Sequence, residues 1–314
     1  MSATADAGSG RLWRGGPDVG RLALGGAPFG GLYEPMSGEQ VAAVVDAAWT
    51  AGIRYFDTAP RYGNGVSEKL IGRALQDKPR EELVLSTKVG WQLTDGTAIA
   101  DFTADGIRRS VEQSLDRIGL DRIDIVYLHD PDDCRTQALD EAYPALRELR
   151  DQGVVRAIGL GVNWPALPAW FIQRADLDVV LLAGRYTLLD SSADEELLPL
   201  CLDRGTAVVA AAVFNSGILA DPSPGARFDY RPAAPELLAR AQRLQSICER
   251  HGTELPAAAL QFPLRHPAVA TVLIGAGTPA EVTADCQWMN TPVPPDLWPE
   301  LAAVPTVGVG HQSQ

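Results

Sequence analysis

Asp57, Tyr62, Lys88 and His129 are the residues of this sequence whose types and spacing could move a proton. The first two lie in the stretch 52–68, Gly-Ile-Arg-Tyr-Phe-Asp-Thr-Ala-Pro-Arg-Tyr-Gly-Asn-Gly-Val-Ser-Glu. There Ile53, Tyr55 and Phe56 have the β-branched or aromatic character of a buried strand, and the run stops at a carboxylate that is costly to bury unpaired. Lys88 ends the strand-like run Leu83-Val84-Leu85-Ser86-Thr87-Lys88 in the same way and offers Asp57 a cationic partner. A third run, from Ile123 to Leu128, ends in His129. A tyrosine, with its pKa of about 10, is a poor acid or base near neutrality unless a cation stabilises the phenolate. Lys88 supplies that cation, Asp57 keeps it in place and protonated, and His129 hydrogen-bonds the reacting oxygen. The chemistry is proton transfer at a carbonyl or alcohol oxygen with Tyr62 as general acid or base, and it requires a hydride donor or acceptor beside it.

The elements that must position these groups form a regular alternation. Apolar runs near 21–26, 53–57, 83–88, 123–128, 154–160, 178–182, 206–211 and 270–274 predict strands, and the segments 38–51, 66–77, 103–118, 136–151, 165–174, 193–204, 236–251 and 279–288 predict helices. Ser37, Thr103 and Pro279 mark helix starts. Eight strand-then-helix units predict an α/β fold, a (β/α)8 TIM barrel, over a single domain spanning 19–314. Residues just past the strand C-termini then share one rim, so the four groups converge although they are distant in sequence. Two stretches interrupt the rhythm: a long loop after strand seven, 213–235, and an extra helix near 255–267. Residues 1–18 predict a flexible N-terminal tail with a short element near Leu12 to Arg14.

Composition narrows the function classes. A chain of 314 residues, 46% hydrophobic, is long enough for one large core, and no apolar run approaches the length of a membrane span. The first ten residues lack the apolar centre of a signal peptide, so a cytoplasmic protein is expected, with no membrane partner. A net charge of −13 disfavours nucleic acid and favours a small neutral or cationic substrate. Cys134, Cys201, Cys248 and Cys286 are too dispersed for structural zinc or a disulfide framework.

From Phe56 to Glu68, at Ser86-Thr87-Lys88, at Leu128-His129 and at Gly159-Leu160-Gly161-Val162-Asn163, the sequence resembles the aldo-keto reductases, over roughly residues 20–290. The resemblance implies a TIM barrel that uses a nicotinamide cofactor without a Rossmann motif, with Asp57, Tyr62, Lys88 and His129 as its catalytic tetrad. It assigns Asn163 to the nicotinamide carboxamide, and Asn215, Ser216 and Gly217 together with Gly275, Gly277 and Thr278 to the cofactor phosphates and ribose. Glycine permits close backbone approach, and a helix N-terminus presents free N–H groups, which suits those assignments. Ala183 and Ala211 depart from the family, where a carboxamide-binding Gln and a stacking aromatic ring are common. Glu281 stands where NADP-preferring members often carry Arg, which implies a preference for NAD, with NADP as the alternative.

Within the family, the stretches 129–133, 182–187 and 213–219 resemble the dehydrogenases that oxidise L-fucose and related D-threo-aldoses at C1 to the lactone. The pyridoxal dehydrogenases that yield a lactone resemble the same group, and general aldehyde or ketone reduction uses the same atoms. A cofactor-binding regulatory subunit is the non-enzyme alternative. Tyr33 and Trp91 are candidates for an apolar wall against a sugar face, and Asp130 for a contact to substrate hydroxyls.

Taken singly, each group has a plainer role: Asp57 caps a turn, Tyr62 packs, Lys88 is a surface charge and His129 a loop residue. Only the set points to chemistry. Asp130, Asp132 and Asp133 beside His129 suggest metal-assisted hydrolysis as the rival enzyme class, but clustered His ligands are missing from the sequence, and no metal is expected.

Overall fold

In the computed structural model, which describes residues 10–306 apart from Tyr33 and Asp95, eight strands close into a parallel barrel. They are β1 (Leu22–Gly25), β2 (Tyr55–Asp57), β3 (Val84–Val89), β4 (Ile125–His129), β5 (Ala157–Val162), β6 (Val179–Ala183), β7 (Ala207–Ala211) and β8 (Val269–Gly275). Each pairs with its neighbours in sequence, and β8 closes the ring on β1 in the register Leu22↔Val272 to Gly25↔Gly275. The strands read as largely apolar runs, broken mainly by the polar residues at their ends, because both faces are buried, one under the helices and one inside the barrel.

The period of two sorts those faces. Phe56, Leu85, Val126, Leu128 and Ile158 point outward into the core shared with the helices. Tyr55, Val84, Ile125, Tyr127, Ala157 and Val179 point inward. Leu12 and Val19 join that interior cluster. Of the tail expected over 1–18, residues 1–9 lie outside the described residues. Arg11 and Asp18 form a bridge, and fully buried Leu12 closes the barrel at its N-terminal end.

The outer layer comprises α1 (Gly38–Thr50), α2 (Val66–Leu75), α3 (Ala104–Ile118), α4 (Tyr143–Asp151), α5 (Ala166–Ile172), α6 (Leu197–Arg204), α7 (Pro235–Arg250), α8 (Leu255–Gln261), α9 (Pro279–Asn290) and α10 (Leu297–Ala302). Ser37 opens α1 with a capping box, accepting from the Gln40 N–H at 3.2 Å while the Gln40 side chain accepts from the Ser37 N–H at 2.8 Å. The extra helix expected near 255–267 is α8. It stops at Gln261, before the single turn Pro263–Arg265. It is α8 that packs against α9, while the longer α7 pairs with α10 through Leu244, Ile247, Leu297 and Leu301 in a separate apolar cluster.

Two insertions decorate the C-terminal rim. The loop after β7 folds back as a short hairpin, Arg227–Phe228 against Arg231–Pro232, turning through left-handed Asp229 (φ 48°) and Tyr230 (φ 63°). An antiparallel hairpin after β3, Trp91–Thr94 with Thr97–Ala100, was not expected from the apolar pattern, because its strands are half-exposed. The Asp95-Gly96 pair in the sequence is the signal that would have located it. No described helix is long and apolar enough to cross a membrane.

Candidate active site

Strand parity delivers Asp57 from β2, Lys88 from β3 and His129 from β4 to the barrel interior at its C-terminal end. The Lys88 ammonium donates to Asp57 Oδ2 at 2.6 Å and to the Thr58 carbonyl at 2.9 Å, with both side chains of the pair 1% exposed. Lys88 Nζ lies 4.6 Å from the centroid of the Tyr62 ring, and the Tyr62 and His129 rings meet edge to face at 6.0 Å. The four groups converge.

Tyr62 has no strand to hold it and is placed by backbone contacts. Its N–H bonds to the Ala59 carbonyl at 3.1 Å, and the chain then runs through three left-handed residues, Gly63, Asn64 and Gly65. This turn presses on the loop after β1. A Cβ on Gly30 would lie 2.4 Å from the Tyr62 carbonyl carbon, and one on Gly63 would lie 2.5 Å from the Gly30 oxygen. Only two glycines permit so close an approach.

The electrostatics follow from burial. Burial works against the Lys88 charge, yet the Asp57 carboxylate and Tyr62 outweigh it and hold the ammonium above its usual pKa. Burial raises the Asp57 pKa, and the Lys88 ammonium and the Ser86 hydroxyl draw it back only in part. Burial also raises Tyr62, beyond what nearby Lys88 recovers, so the phenol keeps its proton near neutrality. His129 is driven well below the usual histidine value by burial and by the charges of Lys88 and Arg61, and its imidazole is neutral. A buried cation, a protonated phenol and a neutral imidazole suit exchange of a proton with a carbonyl or alcohol oxygen.

Around this centre the rim is polar with one aromatic face. The Trp91 indole N–H donates to the His129 carbonyl at 2.7 Å, and the Arg61 guanidinium stacks on the Trp91 ring at 4.3 Å. Arg61 also pairs with Asp130 at 3.2 Å, and Asn163 donates to the other Asp130 oxygen at 3.3 Å. Asp130 is left-handed (φ 44°), which turns its side chain toward His129 Nε2 at 3.7 Å. Arg61 escaped the sequence reading, although it directly precedes Tyr62 in the same turn. Tyr33 lies outside the described residues. Among those residues, no three His, Cys, Asp or Glu side chains assemble into a set that could hold a metal ion.

Of the cofactor candidates, Asn163, past β5, stands beside the centre through its bond to Asp130, and the others lie past β7 and β8. Asn215 is buried, donates to the Gly184 carbonyl at 3.0 Å and leaves its own oxygen without a partner. Ser216 accepts from the Tyr230 N–H at 2.9 Å, which ties the strap 227–232 to this loop. Arg185, 4% exposed, anchors the same strap through Asp229 at 2.8 Å. Gly217 (φ 98°) has open space where a Cβ would stand. Gly275 pairs with Gly25 across β1 and β8. At the start of α9, Thr278 accepts from the Glu281 N–H at 3.2 Å, and the Glu281 carboxylate accepts from the Gly277 N–H at 2.8 Å. Ala183 and Ala211 stand side by side in register on β6 and β7. The unpartnered buried amide oxygen of Asn215 and the open space over Gly217 fit a bound dinucleotide, whereas the α9 N-terminus already carries the Glu281 carboxylate.

A family model described as the aldo/keto reductase family matches residues 21–305. D-threo-aldose 1-dehydrogenase of a Pseudomonas species is 44% identical over 304 residues, covering 90% of this chain and 92% of its own. Pyridoxal 4-dehydrogenase of Microbacterium luteolum is 41% identical, covering 92% and 95%. Among solved structures, the holo form of aldo-keto reductase AKR11C1 from Bacillus halodurans superimposes with a TM-score of 0.80 at 27% identity, covering 94% of this chain and 95% of that one. Since the match runs from the first barrel strand to beyond the last helix, the chain belongs to the aldo/keto reductase family, whose members are oxidoreductases that use nicotinamide cofactors.

Proposed function

We propose that this enzyme oxidises an aldose of the L-fucose or D-threo type at C1, forming the lactone, with NAD as the preferred cofactor. The observation that carries the chemistry is the buried Lys88 ammonium, 2.6 Å from Asp57 and 4.6 Å from the Tyr62 ring centroid. Tyr62 receives the proton of the anomeric hydroxyl, Lys88 offsets the charge of the phenolate, Asp57 holds Lys88, and neutral His129 donates a hydrogen bond to the substrate oxygen. A nicotinamide held by Asn163 and the 215–217 loop would supply the acceptor for the hydride that leaves C1. Because the resting phenol is protonated, reduction finds its proton donor ready, whereas oxidation gains from rising pH. Lactone hydrolysis and the cofactor ratio set the physiological direction.

The 44% identical aldose dehydrogenase supports the substrate class, as does a rim where Arg61 stacks on Trp91 and pairs with Asp130. The 41% identical pyridoxal 4-dehydrogenase supports a second reading, oxidation of pyridoxal to its lactone. The NAD preference rests on Glu281, whose carboxylate fills the α9 N-terminus where a 2′-phosphate would be repelled. Four free cysteines support a reducing, cytoplasmic location.

The test follows reduced-nicotinamide absorbance with NAD or NADP against L-fucose, other aldoses, pyridoxal and simple alcohols. Rapid NAD reduction by L-fucose or a D-threo-aldose is expected. Silence toward every aldose, with NADPH oxidised by simple aldehydes, would replace the proposal by a general carbonyl reductase. Tyr62→Phe should abolish turnover and keep cofactor binding; cofactor binding without turnover in the unaltered protein would instead mark a regulatory subunit.

A further inference from the structure

Beneath the candidate site, three hydroxyls continue inward from Asp57. Ser86 Oγ donates to Asp57 Oδ1 at 2.6 Å, Tyr55 OH lies 3.0 Å from Ser86 Oγ, and Tyr127 OH lies 2.9 Å from Tyr55 OH. Tyr55, Ser86 and Tyr127 are all 0% exposed. Each is an interior position one pleat below Asp57, Lys88 and His129 on the same three strands. A hydroxyl has one proton to give. The Ser86 proton is committed to the carboxylate, so Tyr55 donates to Ser86 and Tyr127 donates to Tyr55. Every bond in the chain therefore points at Asp57.

We infer that the Tyr127–Tyr55–Ser86 relay consists of positioning residues that hold Asp57 ionised beside Lys88 and thereby keep the proton affinity of Tyr62 low enough for turnover. The inference rests on the proposed role of Tyr62. The charged and titratable groups facing this centre are Asp57 and Tyr55 from β2, Tyr62 and Arg61 from the following turn, Lys88 from β3, and Tyr127, His129 and Asp130 at β4. The adjoining β5 contributes Gly159 and Gly161, whose lack of side chains admits the Tyr127 ring and the Lys88 stem. Removing the Ser86 hydroxyl has the same sign by either route. If Asp57 stays ionised, its less compensated charge bears harder on Tyr62. If it takes the Lys88 proton, Tyr62 loses both the Lys88 cation and the Asp57 charge, and the cation is the larger influence of the two. Both raise the Tyr62 pKa.

The experiment titrates tyrosinate absorbance in the free protein, isolating Tyr62 by subtracting the same protein carrying Tyr62→Phe, alongside the pH profile of kcat/KM for aldose oxidation and urea unfolding. Ser86→Ala should move the Tyr62 inflection up by about one pH unit, the scale of a lost charge-assisted hydrogen bond one residue removed. Tyr55→Phe should move it less and Tyr127→Phe least, while Ser86→Thr, which keeps the hydroxyl, restores it. Variants that unfold more easily but keep the inflection in place would reduce the relay to interior packing and overturn the inference. Should Ser86→Ala fail to fold, Tyr127→Phe, which deletes one oxygen at the far end, must still shift the inflection. A wild-type kcat/KM profile in Tyr62→Phe would instead refute the role of Tyr62 itself.

Discussion

Replacing Gly30 by alanine should disarm the site without touching any group that carries charge. The added Cβ would lie 2.4 Å from the Tyr62 carbonyl carbon, 2.6 Å from the Gly63 nitrogen and 2.8 Å from the Tyr62 oxygen, all backbone atoms that cannot rotate away. Ordinary contact begins near 3.4 Å, so the peptide that carries Tyr62 must retreat by about 1 Å. Overpacking of this kind costs about 1–3 kcal/mol of stability, and a misplacement of about 1 Å costs on the order of 10²-fold in rate. Because Asp57 and Lys88 stand on strands that the loop does not move, the loss should fall on kcat and leave cofactor affinity intact. Steady-state kinetics, cofactor titration by fluorescence and urea unfolding read the three quantities separately. Gly63→Ala strikes the same contact from the other side, at a left-handed residue (φ 62°), and the double variant should be far less than additive. Gly38→Ala, whose Cβ meets only Leu70 Cδ2 at 3.7 Å, should be neutral. Wild-type kcat in a folded Gly30→Ala protein would refute the claim that this contact aims Tyr62.

Further outcomes are open to measurement. Aldose oxidation should climb with pH through neutrality and beyond, because burial raises the Tyr62 pKa, whereas the reductive direction should stay flat until alkaline pH; an oxidation rate that falls from pH 6 to 8 would contradict the assignment. Glu281→Arg should shift the ratio of kcat/KM values toward NADP, since it replaces a carboxylate bonded to the Gly277 N–H with a cation; an unchanged ratio counts against the NAD preference. Glu68, fully buried between Arg117 and Thr87, ties α2 to α3 and β3, so Glu68→Ala should cost about 3–5 kcal/mol in urea unfolding by stranding the Arg117 charge. His129 is kept neutral in the fold, so the unfolded chain binds more protons below about pH 6.5 and stability should fall as pH drops through that value; His129→Gln should flatten that part of the slope.

The convergence of Asp57, Lys88 and His129 was legible in the sequence because each ends an apolar run, and a parallel barrel exposes strand ends along one rim. The same parity, counted back by two from each, leads to Tyr55, Ser86 and Tyr127, which the sequence reading passed over because hydroxyls within an apolar run look like filler. The Trp91–Ala100 hairpin and the pairing of Arg61 with Trp91 and Asp130 were not legible, since loops carry no periodicity. Nor was the balance at Tyr62. Lys88 beside a tyrosine suggests a phenolate, yet burial outweighs the cation. By itself the sequence determined the barrel and the helix starts at Ser37 and Thr103, because these depend on periodicity and capping within a few residues. Only the tertiary structure decided that Gly30 and Gly63 touch, that α8 and not α7 packs against α9, and which proton Tyr62 keeps, because distance and desolvation are sums over neighbours that chain order does not reveal.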